Sequence, residues 1–221
     1  MLSLGFGSGL PYILLINTTS AWLRDAGVEL SLIGFFAWIT FAYTIKFIWA
    51  PLVDRFSIPY FAKYGHRKSW IALMQIIIIS ALLLLSNIDP LQSFLFFCIV
   101  AGLIAFAGSF QDIAIDAFRI EYAHITDQGN LAAAYQLGYR LAIIAATSFA
   151  LIFADSNGWS MTYKFLAMLM CLGFLGVIFS SENTNPELGK LNFSNSIYEP
   201  LKDFFSRFKF FMASILLLIV A

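Results

Sequence analysis

Long apolar runs broken by short polar stretches dominate the chain. Crossing the hydrocarbon core takes roughly 20 apolar residues as a helix. Six runs meet that requirement, at about 2–23, 31–51, 70–87, 91–116, 132–153 and 160–179, and a seventh begins near Phe208 and runs to Ala221. The runs are too long for barrel strands and show no period-2 alternation, so helices are predicted. Between 180 and 207 the pattern changes. Asn183, Asn185, Pro186, Asn192, Asn195 and Pro200 make this stretch polar, with Ser196–Phe205 expected as a surface helix. The expected fold is an all-α polytopic membrane bundle: six transmembrane helices over 1–179, a cytoplasmic linker over 180–207, and the truncated start of a seventh helix over 208–221.

Basic residues set the orientation. Arg55, Lys63, Arg67 and Lys68 follow the second run, and Lys190, Lys202, Arg207 and Lys209 follow the sixth. The links near Asn87–Pro90 and Asp155–Gly158 hold no lysine or arginine. Alternate loops are therefore basic, and the basic side, with the N-terminus, is expected to face the cytoplasm. Trp22, Trp49, Trp70 and Trp159 fall at predicted helix ends, where tryptophan prefers to sit, whereas Trp38 is expected as a packing residue.

Composition agrees with a bilayer as solvent. The chain is 60% hydrophobic and 12% charged, with a mean hydropathy of +0.82. Thirteen basic and thirteen acidic residues cancel, so no field points to nucleic acid. Cys98 and Cys171 sit in apolar runs, with no disulfide framework or metal spacing. His66 and His124 are too isolated for a metal site, and no cofactor is called for. The first run lacks a basic leader and reads as a retained membrane segment.

The unusual chemistry is concentrated in Gln111–Arg119. Asp112 and Asp116 are four residues apart and share one helix face, with Arg119 three residues further on. Charge in an apolar helix must be buried against a partner or opened to water. Arg140, in the fifth run, approaches from the other side of a short cytoplasmic link, so an Asp–Arg pair is geometrically available. The pair reads as a static structural contact or as a substrate and proton site. Topology places the segment at the cytoplasmic end of the fourth helix, which points first to a conformational lock and second to a substrate site. Lys46 lies roughly 7–8 Å inside the second run at the helical rise. Its stem can snorkel to the interface, or its ammonium can serve as a ligand. Asp54 and Arg55 end the second run, and Gly65-His66-Arg67-Lys68 opens the third, a cluster that reads as a cytoplasmic gate or as plain positive-inside charge. Gly5-Phe6-Gly7-Ser8-Gly9 has no preceding strand, so close helix contact or a kink at Pro11 is expected, not a nucleotide loop. Asn17-Thr18-Thr19 lies within a membrane run, where its side chains can face a central cavity.

Six helices followed by a long cytoplasmic linker make the half-plan of the major facilitator superfamily. The chain resembles the AmpG-type muropeptide permeases, a branch of that superfamily related to acetyl-CoA transporters. The resemblance rests on Gly5-Phe6-Gly7-Ser8-Gly9-Leu10-Pro11, Lys46-Phe47-Ile48-Trp49-Ala50-Pro51-Leu52-Val53-Asp54-Arg55, Arg67-Lys68-Ser69-Trp70, Gln111-Asp112-Ile113-Ala114-Ile115-Asp116-Ala117, Gly138-Tyr139-Arg140-Leu141 and Pro200-Leu201-Lys202-Asp203-Phe204-Phe205, in family order. It departs from the superfamily's cytoplasmic loop at Ala50, where glycine is usual, and by about nine residues inserted between Arg55 and Gly65.

The resemblance implies proton-driven import of anhydromuropeptides by alternating access, with membrane lipid, protons, the muropeptide and a missing C-terminal half as partners. It also places Lys46 within the family pattern, which leaves snorkelling and a ligand role both open. Both ends look clipped against the family. Two other readings remain open: a non-transporting fragment or half that pairs with another polypeptide, and a carrier of another bulky anion such as acetyl-CoA. A membrane-embedded transferase is disfavoured because no nucleophile–base pair is visible.

Overall fold

The computed structural model describes residues 1–56, 58, 65–122, 125–180 and 202. Six helical rods appear in chain order: α1 (residues 2–25), α2 (residues 30–55), α3 (His66–Leu85), α4 (Phe94–Tyr122), α5 (Gln128–Asn157) and α6 (Trp159–Phe179). Leu30–Ile48 and α3 to α6 contain the five helices long and apolar enough to cross a membrane. The first rod is not among those five, because Gly5, Gly7, Gly9, Ser8 and Asn17 dilute its hydropathy. It is instead enclosed by protein, with Leu4–Pro11 buried without a break. The polar linker and the seventh helix lie outside the described residues, apart from Ser180 and Lys202.

Small residues let α1 sit centrally. Gly5 and Gly9 are four residues apart on the α5 side of α1. A methyl group on Gly5 would collide with the Tyr135 carbonyl, and one on Gly138 with the Leu2 carbonyl. The two backbones therefore cross in direct contact, the usual reason for paired glycines between membrane helices. Glycines 5 and 9 thus mark close helix contact, one of the two roles expected for this stretch. Further along, both α1 and α5 widen into one π-helical turn, at Leu14–Thr18 and Ala145–Phe149. Buried Thr18 donates from α1 to the Ala146 carbonyl, and Thr19 shares a 2.7 Å hydrogen bond with Tyr163 of α6. These two threonines lock helices together and do not face a cavity, whereas Asn17 is exposed.

α2 is a broken rod. Its α-helical pieces are separated by 3-10 turns at Ala37–Thr40 and Lys46–Ile48. Pro51 supplies no N–H to the Phe47 carbonyl and its ring crowds that carbonyl, so the turn before it cannot be regular α-helix. Little of α2 is fully buried, Phe36 and Val53 being the exceptions among its described side chains. Trp38 is 71% exposed and Phe35 72%, so the packing expected of Trp38 is not made within the described residues. α4 is longer than its apolar run, reaching Tyr122 instead of stopping near residue 116. The polar residues at its end remain helical because each charge among them finds a partner.

Candidate functional site

The centre of α4 falls at Gly108, so Asp112 is one turn past the middle of the helix and about 15 Å from its end at the helical rise. This corrects the placement of Asp112 at the cytoplasmic end, which followed from ending the helix too early. Asp112 Oδ1 accepts a 2.6 Å hydrogen bond from Ser8 Oγ of α1 and a 3.2 Å bond from the Tyr135 hydroxyl of α5. Ser8 and Tyr135 are themselves 2.8 Å apart. Asp112 Oδ2 pairs with Lys46 Nζ of α2. The ammonium also stands 3.8 Å from Asp116 Oδ2, and Arg119 Nη2 stands 3.6 Å from Asp116 Oδ1. Arg119 closes the group by lying 5.4 Å above the Tyr135 ring.

Two cations and two carboxylates balance, which lowers the cost of placing them in an apolar bundle. Four helices supply the parts. The 3-10 turn forced by Pro51 presents Lys46 toward α4. Asp112 and Asp116 follow one face of α4 at four-residue spacing, as expected. Asp112 is 17% exposed and Lys46 34%, so the pair is partly shielded yet open on one side.

That open side is a cavity of about 340 Å³ lined by Ser8, Tyr12, Thr40, Tyr43, Thr44, Lys46, Asp112 and Tyr139. Tyr12 and Tyr43 meet edge to face at 4.8 Å. The Tyr43 hydroxyl sinks against Gly108, where a methyl group would overlap it. An ammonium, a carboxylate, hydroxyls and aromatic faces therefore converge on one concave surface, the usual make-up of a polar-ligand site.

Arg140 does not join this network. It is exposed and forms no ion pair with Asp112 or Asp116. Helical rotation is the reason. Tyr135 and Tyr139 are four residues apart and share the face toward Asp112, and Arg140 lies about 100° further round. Gln111 turns the other way, into the fully buried interior.

A second charge cluster ties three helix ends together. The Arg67 guanidinium, with its side chain 6% exposed, donates to Asp54 Oδ1 at 2.6 Å and to Glu121 Oε1 at 2.7 Å. His66 Nε2 lies 2.8 Å from the Val53 carbonyl. Asp54 and Arg67 thus meet as the gate-loop reading expects, and the Arg55 side chain lies outside the description. Glu121 was missed from the sequence. The signal that could have found it is the run of charges Asp116, Arg119 and Glu121, which a helix carried on to Tyr122 includes.

The sequence profile of the Major Facilitator Superfamily matches residues 1–221. The chain belongs to the Major Facilitator Superfamily. This superfamily comprises transporters, not enzymes. Similar superfamily members include the anhydromuropeptide permease of Escherichia coli (strain K12), 34% identical over 221 residues, covering all of this chain and 44% of that permease. The putative transporter AmpG 4 of Rickettsia conorii is 30% identical over 211 residues, covering 92% of this chain and 51% of that protein. Its namesake in Rickettsia felis is 32% identical over 215 residues. The chain spans about half the length of the curated relatives it matches. As a superfamily member it is a polytopic helical membrane protein, as expected from its apolar runs.

Proposed function

We propose that this chain is the N-terminal half of a proton-coupled anhydromuropeptide importer working by alternating access in a bacterial inner membrane. The observation that carries the reading is the Lys46–Asp112 ion pair on the wall of a polar cavity. With Asp112 charged, Lys46 is neutralised. When Asp112 takes a proton, Lys46 is released to hold an anionic group of the substrate. Loss of the proton restores the pair and expels the anion. Asp116 and Arg119 keep the ammonium in place through the exchange, and exposed Arg140 is available to a substrate carboxylate. Gln111 supports the same face of α4 from behind.

The Asp54–Arg67–Glu121 cluster joins the ends of α2, α3 and α4 and would have to break when those ends separate, as in a cytoplasmic gate. Arg55 belongs to the same loop. Basic residues on alternate loops support a cytoplasmic N-terminus. The partner of this half is a second six-helix half, reached through a linker at 180–207 and beginning at 208–221. The share of the relatives that the chain covers supports this, as does the uncovered apolar face of α2, with Phe35, Trp38, Phe47 and Ile48 all more than half exposed. Membrane lipid covers the rest.

The test is uptake of a labelled anhydromuropeptide into vesicles that contain this chain together with a second-half polypeptide. Uptake that an uncoupler abolishes is expected. Uptake indifferent to the uncoupler would remove proton coupling, and competition by acetyl-CoA alone would redirect the substrate to another bulky anion.

A further inference from the structure

Behind Asp112, on the side of α4 away from the cavity, two glutamines meet in the interior of the bundle. Gln75 of α3 and Gln111 of α4 are both fully buried. Among the described residues, all four of their amide oxygens and nitrogens are without a hydrogen-bond partner. Both point at Gly7 of α1. A methyl group on Gly7 would stand 3.0 Å from Gln75 Nε2 and 3.4 Å from Gln111 Nε2. Gly173 of α6 closes the other side, since a methyl group there would lie 2.9 Å from Gln75 Nε2 and 2.9 Å from the Gly7 Cα. Four helices therefore converge on one small polar point.

The Gly7 carbonyl lies on the same turn of α1. Pro11 stands four residues later and offers it no N–H, so this carbonyl loses its usual helical donor. In an apolar medium each unmatched group is expensive, and membrane helices recover the freed groups of proline turns with neighbouring polar atoms or ordered water. A single Gln–Gln contact would use one donor and one acceptor and leave the remaining amide atoms unmatched. A small species that both donates and accepts serves donors and acceptors alike, up to four of them. The amides are neutral and Gly7 and Gly173 approach closely beside them, which favours a small neutral species.

We propose that Gln75, Gln111 and the Gly7 carbonyl form an internal water-binding site. The water accepts from an amide N–H and donates to an amide oxygen and to the Gly7 carbonyl, within the 2–4 polar partners such waters usually have. Ser8 follows Gly7 and donates to Asp112, and Gln111 precedes Asp112. The water therefore sets the depth of α1 against α4 at the residue pair that forms the ion network. This role does not depend on what the chain carries.

The purified chain, labelled with 15N-glutamine in lipid nanodiscs, provides the test. Two side-chain amide groups should exchange slowly with solvent yet show through-space cross-peaks to a long-lived water. Gln75→Met and Gln111→Met should each remove one of them. Absence of a water cross-peak at every slowly exchanging glutamine amide in the unmodified chain would overturn the site. Thermal unfolding gives a second readout. Each single variant should lower the midpoint by several degrees, the double variant by less than the two losses combined, and Pro11→Ala should shrink the single-variant losses by returning a donor to Gly7. Additive losses indifferent to Pro11→Ala would count equally against it.

Discussion

Lys46 and Asp112 stand 66 residues apart in the chain and form an ion pair on the wall of the cavity. The pair joins the irregular α2 to the central turn of α4. Removing one charge should therefore harm more than removing both. Lys46→Met leaves Asp112 and Asp116 with Arg119 as their one remaining counter-charge in the group, and the loss should be about 1–3 kcal/mol, below the figure for a fully buried pair because both groups keep some solvent. Lys46→Met with Asp112→Asn should recover most of that stability, while uptake stays abolished in both. Unfolding in detergent and vesicle uptake separate the two effects. Equal stability of the single and double variants would mean that the pair is not coupled.

Arg140 offers the opposite pattern. It is exposed and unpaired with the aspartates, so Arg140→Ala should change stability by no more than about 0.5 kcal/mol. Uptake should nonetheless be lost if the guanidinium meets the substrate. A variant with normal expression, normal unfolding and normal uptake would remove Arg140 from the functional set.

The α1–α5 crossing depends on the absence of side chains. Gly138→Val would drive a branched side chain into the Leu2 carbonyl and separate the two backbones. A loss of about 3 kcal/mol is expected, read as a lower unfolding midpoint in detergent. Gly34→Val on the open α2 surface, where a methyl group meets nothing within 4 Å, is the control and should be close to neutral. Equal effects at both positions would contradict close packing.

Arg67 serves two carboxylates at once. Arg67→Met strands Glu121 and Asp54 together, whereas Asp54→Asn leaves Arg67 with Glu121 and removes only a side chain that is 52% exposed. The arginine variant should be the less stable by about 1–2 kcal/mol. Arg67→Lys should be intermediate, because one ammonium cannot reproduce a planar fork between two acids. The order of unfolding midpoints checks this, and a larger loss for Asp54→Asn would reverse the assignment.

Several features of the site were legible before any coordinates. Asp112 and Asp116 share a face because four residues return a helix to the same side. Asp54 and Arg67 do meet at the expected end of the bundle. The partner of Asp112 was not legible. Arg140 looked available because it followed the fourth helix by a short link, yet its rotation about α5 turns it aside and brings Tyr135 and Tyr139 round instead. Lys46 looked able to snorkel, but the 3-10 turn before Pro51 aims it at α4. Ser8 was hidden in a run that reads as spacing glycines. Its hydroxyl mattered because Gly5 and Gly9 brought α1 close enough to α5 for Ser8 to reach Asp112 and Tyr135 together.

The chain's helical state, its membrane setting and the six rods among the described residues were determined by sequence alone. In hydrocarbon every backbone polar group must be satisfied within the segment, so a long apolar run has essentially one available structure. The charged segment was also marked, since a carboxylate in such a run cannot go without a reason. The tertiary structure alone decided which charges meet, how deep they lie and what they border. Those facts depend on the rotation of each helix, on where α4 ends and on how closely glycine lets α1 approach. These are properties of contacts between rods, and no single rod's sequence contains them.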